Sequence, residues 1–125
     1  MVRRNKFSII IAFIIIILSL TSSEELQKIS IIHFKGMDKV IHLIMYFVFM
    51  SVILFENRKI VGRTGNLFLI ALIPFFFGAL MELLQSLLTS SRSGSIYDLI
   101  FNLAGILFSI LIFLIIRSFQ KEKIK

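Results

Sequence analysis

Cysteine is absent from this chain of 125 residues, proline occurs once, and charged side chains make up only 17% of positions. Without cysteine there is no disulfide framework, no thiol chemistry and no Cys-ligated metal. The shortage of charge excludes an ordinary soluble domain, in which about a quarter of residues are charged. What fills the space is apolar: 58% of the residues are hydrophobic, and the mean hydropathy is +0.96. A water-soluble chain this short could not hide so much isoleucine, leucine and phenylalanine in one core. A bilayer is the better solvent. Internal repeats and low-complexity tracts are also missing, and the length allows one domain over residues 1–125.

The net charge of +7 invites a nucleic-acid reading, but its distribution argues against one. Charge is gathered between four apolar runs, in three basic blocks and one balanced loop, which is a topology signal. The predicted fold is therefore all-α: an integral membrane four-helix bundle with helices over about 4–23, 39–55, 67–88 and 96–116.

The first run has a short apolar core, Phe7 to Leu20, introduced by Arg3, Arg4 and Lys6. A basic start, an apolar centre and Thr21-Ser22-Ser23 also describe a secretory signal peptide, but the cleavage pattern is weak and a retained span is expected. In the loop that follows, Ser22 or Ser23 can cap a short interfacial helix that carries Glu24 and Glu25 in its first turn. Pro74 and Gly78 interrupt the third run, where a kink is expected. The Phe75-Phe76-Phe77 run is expected to meet lipid.

Ten lysines and arginines lie in the N-terminal segment, the 56–66 turn and the tail, against four in the other two connections. This asymmetry predicts both termini in the cytoplasm of a multi-pass inner-membrane protein. The outer loop's Lys28, Lys35 and Lys39 are balanced by Glu24, Glu25 and Asp38.

Ionisable residues inside membrane helices are costly, at about 2.5–3.5 kcal/mol near the centre, and those that persist usually face the bundle. Here they recur at helical spacing. Asp38, His42 and Tyr46 (or Met45) form one stripe on the second helix. Glu82 and Gln85 stand one turn apart on the third; Asp98, Asn102 and Gly105 share a face of the fourth. Arg92 and Ser95 occupy the turn between those two helices. Three helices thus aim polar atoms at one volume near the outer end of the bundle. Asn102 and Gln85 alone would read as interhelical glue. The set of Asp38, His42, Glu82, Arg92 and Asp98 is too rich in ionisable groups for that. Arg92 is expected to pair with Asp98 through its planar fork, leaving Glu82 nearer His42 or Gln85. The alternative for Arg92 is snorkelling to lipid phosphate. His42, Glu82 and Asp98 could in principle ligate a metal, but no HxxxH or HExxH spacing is present, and no metal or cofactor is assigned.

Taken in order, Asp38-Lys39-x2-His42-x3-Tyr46 and Glu82-x2-Gln85-x6-Arg92-x2-Ser95-x2-Asp98-x3-Asn102-x2-Gly105 resemble the VanZ-like family of small bacterial membrane proteins. The resemblance covers about residues 38–109. It departs from the family pattern at Ser91, where a proline often precedes the arginine, and at Ser109, where a second glycine is common. It implies a role in the cell envelope, and for the family's namesake teicoplanin resistance.

Two functional classes follow. In the first, the cluster binds or processes an envelope lipid or a lipid-linked cell-wall intermediate. Lys39, Arg92 and Ser95 would meet phosphate, Tyr46, Gln85 and Asn102 would bind, and Asp38, His42, Glu82 and Asp98 would orient or transfer protons. In the second, a non-enzymatic protein uses the cluster for packing or for contact with a membrane partner or a second copy. Transport ranks last, for want of an inverted repeat.

Overall fold

The computed structural model describes residues 3–20, 37–62, 64–88 and 96–124, with the side chains of Met37, Asp38 and Thr64 left out. These residues form four helices: α1 (Lys6–Leu20), α2 (Met37–Glu56), α3 (Thr64–Leu88) and α4 (Ile96–Ile124). At about 1.5 Å per residue, α2, α3 and α4 reach roughly 30 Å or more, enough to cross the hydrocarbon core. Each of the three contains an apolar stretch long enough to be a membrane span. α1 has 15 residues and is equally apolar. Its predicted continuation to position 23, and the predicted interfacial helix, fall outside the described residues.

Burial follows a pattern opposite to that of a soluble bundle. Large aliphatic and aromatic side chains such as Phe13, Phe68, Leu87 and Phe108 face outward. The inward face of α1 carries Ser8, Ile15 and Ser19, spaced two turns and then one. α2 turns His42, Tyr46, Phe49, Met50 and Ile53 inward, and α4 turns in Asn102, Gly105, Ile106 and Ser109. Lipid tails solvate leucine as well as a core does, so the interior also admits small and polar residues that pack closely or hydrogen-bond, here beside a core that includes Ile15, Phe49, Met50 and Ile106.

Consecutive helices alternate in direction. Glu56 at the end of α2 accepts from the Phe7 and Ser8 amides at the start of α1, at 2.8 and 3.1 Å. His42 and Asn102 pair at one level and Ser51 and Ser109 at another, so α2 and α4 run parallel. The start of α1, the α2–α3 turn and Arg117 consequently share one end of the bundle. Arg117 donates to Val61 O at 3.1 Å and Gly62 O at 2.6 Å in that turn.

Several boundaries differ from the sequence expectation, three of them by two residues or more within α2, α3 and α4. α2 begins at Met37, and α3 begins at Thr64, inside the segment read as a turn. α4 continues to Ile124 rather than stopping at Ile116, because the tail loses apolarity but keeps good helix formers such as Gln120, Lys121 and Glu122. Pro74 sits buried within a continuous α3. Of the three phenylalanines, only Phe76 is exposed. Phe77 packs edge-on against Phe49 with ring centres 5.3 Å apart, and Phe75 lies half-buried against the core.

Candidate functional site

The closest approach in the bundle is made by α2 and α4. A Cβ on Gly105 would overlap the Leu43 carbonyl oxygen and stand 2.9 Å from the Phe47 amide nitrogen. Only glycine lets the two backbones come so near. One turn further along, Ser109 shares a 2.8 Å hydrogen bond with Ser51. The Gly105 contact sets the register that brings His42 opposite Asn102, since His42 directly precedes Leu43 and Asn102 lies about one turn before Gly105.

His42 is 2% exposed. Its Nδ1 lies 2.9 Å from Asn102 Oδ1 and 3.5 Å from Glu82 Oε1. An amide oxygen only accepts, so Nδ1 carries the hydrogen and donates it to Asn102. In the neutral ring Nε2 then carries the lone pair, and this atom is buried with no hydrogen-bond partner among the described residues. The Tyr46 hydroxyl, one turn deeper and fully buried, and the Asn102 Nδ2 are in the same condition. Gly78 makes room for both: a Cβ there would stand 3.1 Å from Asn102 Nδ2 and 3.1 Å from Tyr46 Cε1. Buried polar atoms usually find partners, so three that do not, at one spot, are the chemical signature of this site.

One ligand atom from each of His42, Glu82 and Asp98 lies within 4.8 Å of the other two. Asp98, in the first turn of α4, is half-buried. Zinc bonds of about 2.0–2.2 Å hold two ligands of one ion no more than about 4.4 Å apart, so the widest allowed spacing would have to tighten around a metal. His42 Nδ1 is already engaged by Asn102, and Nε2 is the nitrogen left to coordinate or to accept a proton.

The structure therefore gathers His42, Tyr46, Glu82, Asp98 and Asn102. Gln85 is placed differently. Its Nε2 donates to Ser19 O at 2.8 Å, tying α3 to α1. Lys39 stands over the Tyr97 ring, 5.8 Å from its centre. Arg92 and Ser95 lie outside the described residues, as does the Asp38 side chain, so the expected Arg92–Asp98 pair does too. Sequence reasoning missed the roles of Ser19 and Ser51, and took Gly78 as a packing residue without placing it against Tyr46 and Asn102. Gly78 carried a usable signal, standing four residues before Glu82 on the same stripe. Ser8 and Ser19 share a face of an otherwise apolar run and carried another.

No curated protein and no solved structure matches this chain. A family model described as VanZ/LLP1 matches residues 3–117. That match takes in all four helices and every residue gathered around His42, and on it the chain belongs to the VanZ/LLP1 family.

Proposed function

We propose that the cluster around His42 is a binding site for the polar part of an envelope lipid or lipid-linked cell-wall intermediate, in the outer leaflet of the bacterial cytoplasmic membrane. One observation carries the reading: His42 Nε2, Tyr46 Oη and Asn102 Nδ2 are buried together with no hydrogen-bond partner among the described residues, offering an acceptor, a hydroxyl and a donor to a ligand. Glu82 and Asp98 add two carboxylates within 4.8 Å. Such a set can hold hydroxyl and amide groups of a headgroup. With His42 Nε2 as acceptor, it can also move a proton from one. Lys39, Arg92 and Ser95 belong to the same end of the chain's topology and suit phosphate.

The outer-leaflet placement rests on charge. Arg3, Arg4, Arg58, Lys59 and Arg117 gather at the opposite end of the bundle, which the positive-inside rule assigns to the cytoplasm together with both termini. Teicoplanin resistance, the trait of the family's namesake, is one outcome that handling a cell-wall intermediate would produce.

A second reading has its own support. The His42–Asn102, Gln85–Ser19 and Ser51–Ser109 bonds all join different helices, as interhelical glue does. In that reading the protein is a non-enzymatic packing or partner protein. The two separate on Tyr46→Phe, which removes a hydroxyl that no described residue binds. The lipid carried by the purified protein falls if the site is a ligand site and is unchanged if it is glue.

A further inference from the structure

At the end of the bundle remote from His42, α2 and α4 part company. They touch backbone to backbone at Gly105, but about two turns further on they have opened into a wedge of about 470 Å³. Leu54, Ile112 and Ile116 line its walls, and Arg58 and Arg117 stand at its mouth. Its inner end holds the Ser51–Ser109 pair. Ser51 bonds the Phe47 carbonyl at 2.7 Å and Ser109 at 2.8 Å, so neither hydroxyl asks for a ligand. A molecule in the wedge therefore meets hydrocarbon along its length and charge only at the mouth.

The two arginines are held in place, and no described residue neutralises either of them. Arg117 spends two of its donors on the Val61 and Gly62 carbonyls, which fix the guanidinium but carry no charge; three further N–H groups remain. Arg58 lies over the Phe55 ring, 4.9 Å from its centre, which is again an uncharged partner. From Ser109 to Arg117 the helix rises about 12 Å.

We propose that this wedge is a lipid site, distinct from the cluster around His42. One acyl chain lies between α2 and α4, and the anionic phosphate of its headgroup is held by Arg58 and Arg117. A guanidinium fork pairs with phosphate through parallel charge-assisted hydrogen bonds, and a cation already fixed in position loses little freedom in doing so. The occupant is an anionic phospholipid of the leaflet at that end. A zwitterionic lipid brings its own ammonium to the same place and is disfavoured.

The test is native mass spectrometry of the full chain in non-ionic detergent, titrated with phosphatidylglycerol, phosphatidylcholine or inorganic phosphate. One phosphatidylglycerol per chain should bind saturably, about tenfold more tightly than phosphatidylcholine, and phosphate alone should not compete. Ile112→Trp, which fills the wedge, and Arg58→Gln, which removes one exposed cation, should each weaken binding about tenfold. Arg117 is left intact because it also holds the α2–α3 turn. Equal binding of the two lipids overturns the proposal, as does binding of free phosphate, or unchanged affinity in Ile112→Trp. A lipid-free dimer that Ile112→Trp dissociates would overturn it in favour of a second copy in the wedge.

Discussion

A methyl group at position 105 would meet the Leu43 carbonyl and the Phe47 amide, both backbone groups that cannot swing aside. Gly105→Ala should therefore push α2 from α4, cost about 1–3 kcal/mol, and lower the Tm of the purified protein. The same displacement would lengthen the 2.9 Å bond between His42 and Asn102, so lipid retention should fall with stability in this variant. At this scale much of the site was legible in the sequence. Asp98, Asn102 and Gly105 repeat at four and three residues, as do His42 and Tyr46 at four, and ionisable groups in apolar helices have few places to point. The tie from Gln85 to α1 was not legible, for a physical reason. Its partner is a backbone carbonyl of α1, and a carbonyl exists at every position, so no residue type marks the one that accepts.

Between elements, the weakest attachment is that of α1, which is 15 residues long and meets α2 and α3 but not α4 among the described residues. Glu56 anchors its first turn through Phe7 and Ser8, and Gln85 anchors its last through Ser19. Gln85→Leu removes the second anchor and should cost about 0.6–2 kcal/mol. Because the loss is local, amide hydrogen exchange should quicken around Ser19 while α2 and α4 keep their protection; uniform quickening would show that Gln85 holds the bundle as a whole. Element type and order followed from four apolar runs divided by charge. Element ends were less legible. α4 runs eight residues past the point where hydropathy falls, because leaving the membrane changes the solvent of a helix without breaking its hydrogen bonds. The outward face expected for Phe75 and Phe77 failed because three consecutive residues span most of a helical turn, and they cannot all face lipid.

The molecule as a whole is polarised, with a basic end that carries both termini and an opposite end that carries the ionisable cluster. Its native lack of cysteine makes the orientation testable with single replacements. In intact cells Tyr97→Cys should react with a membrane-impermeant thiol reagent and Gly62→Cys should not; the reverse pattern would place the cluster at the inner face. The central claim is that the cluster serves a ligand rather than the fold, and Tyr46→Phe tests it most directly. The hydroxyl is buried and makes no hydrogen bond to any described residue, so its removal should leave the Tm unchanged or slightly raised. If the hydroxyl holds a headgroup, losing one hydrogen bond of about 0.5–1.5 kcal/mol should cut retained envelope lipid roughly two- to tenfold. Lipid would be counted in the Ile112→Trp background, so that the wedge does not contribute. A lowered Tm with undiminished lipid per folded chain would contradict the account and make the cluster glue.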